Sequence, residues 1–211
     1  MEQWSHLLDA PQLLALAAAL GWASGIRLYA AVFLAGLAGH LGWIALPAGL
    51  QVLQHPALLG LSGILLAVEF FADKIPWLDS AWDALHTFVR IPAGAALAAA
   101  ALGADNATMG WIAALLGGTL AATSHAGKMA TRAAVNASPE PFSNTVVSLF
   151  EDGLVVAMLW LATQHPLVFA VALVLVLALT VLLLVLLLRF LRAALARLGR
   201  WFAGARAPQG S

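Results

Sequence analysis

Six side chains that can hold or exchange a proton lie close together in the second half of an otherwise apolar chain. Four of them fall within nine residues, and two adjacent carboxylates follow on the next apolar segment: Ser124, His125, Lys128, Arg132, Glu151 and Asp152. Ionisable groups are costly in a hydrocarbon core, so those found there usually face a bundle interior or an aqueous cavity. The cluster predicts a functional site. Its histidine suggests a proton relay to a carboxylate of the following helix.

A second acidic pair lies at the end of an earlier apolar segment. Glu69 and Asp73 are four residues apart and share one face of a helix. Two carboxylates this close do not ionise independently, which suits proton binding or cation coordination. We expect the functional role at Glu69, which lies one turn deeper. We interpret Asp73 and Lys74 as ordinary charges of a helix end at the cytoplasmic interface.

Arg27 is the one charged residue of the first apolar segment. A guanidinium stays protonated, so an apolar helix tolerates it only beside a partner. Glu69, Glu151 and Asp152 are the candidates. The pair either holds helices in register or belongs to an anion site. In the second case we expect the helix to break near Gly25 and to expose its amides.

The composition is that of a polytopic membrane protein. Hydrophobic residues make up 63% of the 211 residues and charged residues only 9%, whereas soluble domains carry about 25% charged residues. There is no cysteine, which excludes disulfides and thiolate chemistry. No pair of the six histidines has the spacing of zinc ligands. We therefore expect no metal and no cofactor.

The apolar runs predict one membrane domain, 1–211, with about six transmembrane helices. The expected spans are 13–41, 57–72, 92–103, 109–135, 145–163 and 167–188. Residues 77–90 carry an apolar stripe opposite a polar one, which predicts an amphipathic helix in the interface or over a cavity mouth. The sixth span has no charge and should face lipid. Residues 196–211 form a basic cytoplasmic tail that should lie on an anionic leaflet.

Both halves combine a base-bearing, an acid-bearing and a plain apolar segment, which suggests two inverted repeats of three spans, about 11–104 and 108–195. The positive-inside bias places both termini in the cytoplasm. The first span contains Gly21 and Gly25 four residues apart, a spacing that lets another helix approach closely.

Two blocks resemble those of a bacterial inner-membrane family catalogued as a domain of unknown function. They read VEFFADKIPWLDSAWDALHTFVRIPAGA, from Val68, and SHAGKMATRAAVNASPEPFSNTVVSLFEDG, from Ser124. The resemblance implies a multi-span protein without an assigned activity. It maps the family's polar positions onto Glu69, Asp73, Lys74, Asp79, Trp82, Asp83, Arg90, Ser124, His125, Lys128, Arg132, Asn136, Ser143, Asn144, Glu151 and Asp152.

The leading functional hypothesis is a small permease for an anionic or zwitterionic solute. Arg27 and Lys128 would bind the solute, while carboxylates and His125 would handle protons or a cation. The candidate binding set is Arg27, Glu69, Asp73, Ser124, His125, Lys128, Arg132, Asn136, Asn144, Glu151 and Asp152. We also expect Asn136, Ser138, Ser143 and Asn144 to cap the ends of the fourth and fifth spans.

The same residues also bear on three other classes of function. A passive ion channel and a non-transporting scaffold or lipid-binding protein remain open, and a homodimer suits either a channel or a permease. A membrane hydrolase is disfavoured because the chain has no G-x-S-x-G elbow. The only basic stripe lies beside a span, so lipid headgroups and not nucleic acid are the expected partner.

Overall fold

The chain folds into six α-helices and one 3-10 helix across the residues described by the computed structural model, which are 8–75, 77–103, 106–136 and 141–204. This confirms an all-α polytopic membrane protein. Five helices are long and apolar enough to cross a membrane, and a sixth span is added if the 3-10 helix and α2 count as one bent segment. The helices are α1 Ala10–His40, α2 Pro56–Ala72, α3 Leu78–Leu102, α4 Ala107–Asn136, α5 Pro141–Gln164 and α6 Pro166–Gly204, with the 3-10 helix Ala48–Gln54 before α2.

Helix starts follow local signals in the sequence. Asp9 accepts from the Gln12 amide while the Gln12 side chain accepts from the Asp9 amide, which is a complete capping box for α1. Pro56, Pro141 and Pro166 each open a helix, where a missing N–H costs nothing.

The first helix is broken at Arg27, where the backbone leaves the helical region (φ −142°, ψ 77°). The predicted break near Gly25 is thus confirmed, two residues later. The arm before the break runs antiparallel to α3, because Ser24 donates to the Arg90 carbonyl and Gly21 packs against Gly94. If α1 were straight, Gly36 would lie about 18 Å beyond Ser24 in the direction of the start of α3.

Contacts of the 3-10 helix exclude that straight course. Gly36 packs on the Leu53 carbonyl, and Gly49 packs on the Ala100 carbonyl near the end of α3. The stretch of 3-10 helix from Gly49 to Leu53 spans only about 8 Å. Gly36 therefore lies near the end of α3 and not near its start. The second arm must therefore fold back beside the first. In agreement, Leu16 of the first arm and Leu34 of the second line one cavity of about 220 Å³.

The fold-back makes α1 a helical hairpin whose tip is Arg27. Both of its ends lie at one end of the molecule, together with the end of α3, and we call this the hairpin end. At the opposite end α2 and α4 finish while α3 and α5 begin, and we call this the network end. Arg132 of α4 contacts both the Asp73 carbonyl after α2 and Asn144 of α5 there.

Backbones of α1, α3 and α4 approach one another closely between the hairpin tip and the hairpin end, where the side chains beside them are no larger than alanine or serine. A Cβ on Gly21 would lie 2.7 Å from the Gly117 Cα, and one on Gly117 would lie 2.6 Å from the Gly94 carbonyl oxygen. Gly25 packs in the same way on Ala121 and Ser124 of α4. The close approach predicted from the Gly21 and Gly25 spacing is confirmed.

Two predicted elements differ from the structure. The segment 77–90 is not a separate interfacial helix, because α3 runs without a break from Leu78 to Leu102 and includes Pro92. Its polar stripe is buried and not exposed. In addition, α6 continues as one helix through its arginines to Gly204, while residues 205–211 lie outside the described residues. Most apolar side chains of α6 are exposed, as expected of a lipid-facing helix.

Candidate functional site: a buried charge network

Five of the six helices bring charged side chains into one connected, buried network, and α6 supplies none among the described residues. Ion pairs within 4 Å link all of its members. The basic members are Arg27 of α1, Arg90 of α3, and Lys128 and Arg132 of α4; the acidic members are Glu69 of α2, Asp73 just after α2, Asp79 and Asp83 of α3, and Glu151 and Asp152 of α5.

Asp73 is the centre of this network. Its Oδ2 accepts from Lys128 Nζ at 2.8 Å and from Arg132 at 3.4 Å, and it also pairs with Arg27. The expectation that Asp73 is an ordinary helix-end charge is therefore wrong, because three bases from two other helices reach it. Lys74 makes none of the ion pairs found among the described residues: it is half-buried, its ammonium lies 3.0 Å from the centre of the Phe70 ring, and burial lowers its pKa.

Arg27 places a fully buried guanidinium at the hairpin tip. Besides Asp73, it contacts Asp152 at 2.9 Å and Glu151 at 3.8 Å, and it donates to the Ser148 hydroxyl at 2.8 Å. Two of its three predicted partners are thus confirmed, while Glu69 is not among them.

Side chains of α4 contact the backbone carbonyls of α1 that directly precede the break. Lys128 donates to the Ile26 carbonyl at 3.2 Å, and Ser124 donates to the Trp22 carbonyl at 2.7 Å. His125 Nδ1 lies 3.2 Å from the Gly25 carbonyl. Irregular backbone at membrane depth is tolerated only when it is buried in protein or lines a cavity. The polar part of α4 therefore stabilises the hairpin tip.

Arg90 holds the innermost part of the network. It contacts Glu69 at 2.5 Å and Asp83 at 2.7 Å, and all three side chains are fully buried. His125 lies beside them, with Nε2 2.7 Å from the Thr87 hydroxyl. The predicted relay from His125 to a carboxylate of α5 is not seen, because the histidine faces α1 and α3.

Arg132, Asn136 and Asn144 complete the site at the network end. Arg132 contacts Glu151 at 2.7 Å and the Asn144 side-chain oxygen, and Asn136 donates to Asp79 at 3.1 Å. Asn136 and Asn144 thus tie the network together and are not simple helix caps. Ser138 lies outside the described residues.

The network holds more acid than base. Six carboxylates face four basic groups, an excess of two. Five buried carboxylate oxygens accept no hydrogen bond from the described residues: Glu69 Oε2, Asp73 Oδ1, both oxygens of Asp83, and Asp152 Oδ2. Uncompensated buried charge is expensive, so the site favours protons or small cations. No metal-ligand cluster occurs in the described part of the chain.

The structure brings together every residue of the predicted binding set and adds four that the set lacks, Asp79, Asp83, Arg90 and Ser148. The first three, with His86, form the polar stripe of α3, and their helical spacing was visible in the sequence. The sequence did not show whether that stripe faces the bundle interior or the surface. Ser148 carried no signal, because a single serine in an apolar helix is common.

A family model described as Domain of unknown function (DUF4126) matches residues 14–186. The comparisons with curated proteins and with solved structures found no match.

Proposed function

Because the chain belongs to this family, whose activity is not assigned, we propose a function from the site itself: a small permease of the bacterial inner membrane that moves a small anionic or zwitterionic solute together with a proton or a cation. The observation that carries the proposal is the broken tip of α1 inside an acid-rich network. Discontinuous helices at membrane depth are a recurring plan of substrate and ion sites in transporters.

The acid excess supports the coupling ion. Glu69, Glu151 and Asp152 are its handling groups in this proposal, while Arg27 and Lys128 attract the solute. Both bases are already paired with carboxylates of the protein. A solute anion therefore has to displace one of these carboxylates. His125 keeps a role in positioning the hairpin tip and none in a relay to α5.

The directions of the helices support an inverted repeat for the second and third helices of each half. α2 runs towards the network end and α5 away from it, and α3 and α6 are opposed in the same way. The first members differ, because α1 is a hairpin and α4 is continuous. A homodimer is part of the proposal, since so few spans enclose little space alone.

A scaffold is the second candidate, and the dense ion pairing favours it. Every base in the network has at least two carboxylate partners, as expected of charges that only join helices.

Flux through reconstituted protein separates the two candidates. In proteoliposomes tested with a panel of labelled small carboxylates and amino acids, Glu151→Gln and Lys128→Met should each abolish uptake and keep the helical circular dichroism of the wild type. Arg189→Met, at an exposed position of α6, is the matched control and should transport normally. Uptake that survives both network changes contradicts the permease; changes that only lower the melting temperature support the scaffold.

We propose a membrane orientation that follows from the hairpin. Because α1 returns to the end where it starts, the chain crosses the bilayer five times, and its two termini lie on opposite sides. No Lys or Arg precedes Arg27, whereas Arg189, Arg192, Arg197 and Arg200 follow the last span. The positive-inside bias then places the C-terminus in the cytoplasm and the N-terminus outside. This replaces the expectation of two cytoplasmic termini.

Labelling of single cysteines tests the orientation, since the chain has none of its own. In intact cells an impermeant maleimide should label Gln3→Cys and leave Gln209→Cys unlabelled until the cells are lysed. Asn106→Cys, in the connection between α3 and α4 at the hairpin end, should be labelled with either topology. Protection of Gln3→Cys in intact cells would restore the six-span arrangement.

A further inference from the structure

We infer that the three bases around Asp73 Oδ2 form a binding site for a small carboxylate, and that Asp73 occupies it in this structure as a tethered ligand. Arg27, Lys128 and Arg132 converge on this single oxygen from α1 and α4. Charge-assisted hydrogen bonds between such bases and a carboxylate are shorter and roughly twice as strong as neutral ones. That the ligand is a transported solute rests on the proposed permease function.

The hydrogen-bond donors around Asp73, and not the charge balance, explain why a small carboxylate can take the place of this side chain. Each base has another acidic partner: Asp152 for Arg27 at 2.9 Å, Asp83 for Lys128 at 3.0 Å and Glu151 for Arg132 at 2.7 Å. Without Asp73 the three bases keep these acidic partners, yet Lys128 Nζ and Arg132 Nη2, which donate to Oδ2 at 2.8 Å and 3.4 Å, lose that acceptor. Buried donors without an acceptor are costly, so a small carboxylate that restores the contacts is stabilised there.

The position of Asp73 allows such an exchange. The three bases belong to α1 and α4, which are deeply packed, whereas α2 is peripheral: only Ser62, Glu69 and Ala72 are buried along it. An apolar groove of about 520 Å³ separates α2 from the start of α3, between residues such as Phe71 and Trp82. Because Asp73 directly follows the last turn of α2, a displacement of that end of the helix would withdraw it and leave α1 and α4, which carry the bases, in place.

Size-matched chemical rescue tests the site in full-length protein in detergent. Asp73→Ala removes one carboxylate group and should lower the melting temperature; formate, which replaces that group, should restore it in a dose-dependent manner. Asp73→Gly leaves room for one more carbon, so acetate should restore it better than formate does. Chloride and sulfate at matched ionic strength should restore neither variant. Asp79→Ala is the control. It removes a carboxylate that contacts only one of the three bases, Arg132, at 3.8 Å, so formate should not raise its melting temperature.

Equal effects of formate and chloride on Asp73→Ala would overturn the inference, and a stronger effect of sulfate would assign the site to another anion. If the variant can be purified only in formate, the site is supported; if it is recovered in neither salt, the inference fails. The permease proposal is judged separately by wild-type flux. Rescue without flux leaves a carboxylate site in a protein that is not a permease, and flux without rescue leaves a permease that binds its solute elsewhere.

Discussion

Arg90→Met is expected to destabilise the protein by about 3–5 kcal/mol, the usual cost of removing one partner from a buried ion pair. Arg90 is the only base within 4 Å of Glu69 among the described residues, at 2.5 Å. Its loss leaves that carboxylate alone in an apolar interior and weakens Asp83 as well. Thermal or denaturant unfolding in detergent measures the effect.

The double variant Arg90→Met with Glu69→Met identifies the cause. Removing both charges leaves no isolated ion, so the double variant should be more stable than Arg90→Met alone. Arg189→Met, the same substitution at an exposed position of α6, should change stability by less than about 0.5 kcal/mol. Strict additivity of the two network substitutions would show that the pair does not act as a unit.

The second large effect concerns the coupling of solute movement to proton movement in the proposed permease, and it is expected in transport assays. A solute carboxylate that displaces Asp73 adds one negative charge to a network that already holds two more acids than bases. One proton entering with each solute keeps the charge constant. Uptake should then be independent of the membrane potential and driven by the pH gradient. Each pH unit, equivalent to about 1.4 kcal/mol, should give about tenfold accumulation of the solute.

Proteoliposomes with the potential clamped at several values, at one fixed pH difference, provide the measurement. Weak acids also cross bilayers unaided, so initial rates have to be compared with those of liposomes carrying Glu151→Gln. Accumulation that tracks the potential would contradict one-for-one coupling. Accumulation that follows a sodium gradient at equal pH would assign the coupling to a cation.

Much of the helical layout was predictable, because the length of an apolar run decides whether a helix can span a bilayer. The course of α1 was not. Its 31 residues are long enough for a span, and one residue's φ and ψ angles at Arg27 redirect everything that follows. Glycine near the break indicated that α1 could bend, but only contacts with the 3-10 helix and α3 reveal that it turns back.

Most residues of the site were predictable from the sequence, but their ion-pair partners were less so. The stripe containing Asp83 and Arg90 was visible, but an amphipathic pattern does not say which face is buried. In water the polar face points outward; in this membrane bundle it points inward. The burial of Asp73 was not predictable, because a position near a helix end suggests exposure. Its burial depends on side chains that reach it from α1 and α4, and sequence spacing within α2 contains no information about them.

In the proposed permease, the meeting of Gly21, Gly94 and Gly117 would limit the rate of transport. It lies between the charge network and the hairpin end, so a solute that left through the bundle towards that side would pass where three main chains touch. A rotamer flip, complete within nanoseconds, does not open this contact, because its closest atoms are mostly main-chain atoms and the Cβ atoms of Ala98 and Ala121, which no rotamer change moves. Whole helices must part, a motion of microseconds to milliseconds. Turnover should therefore be slow, and it should rise steeply with temperature.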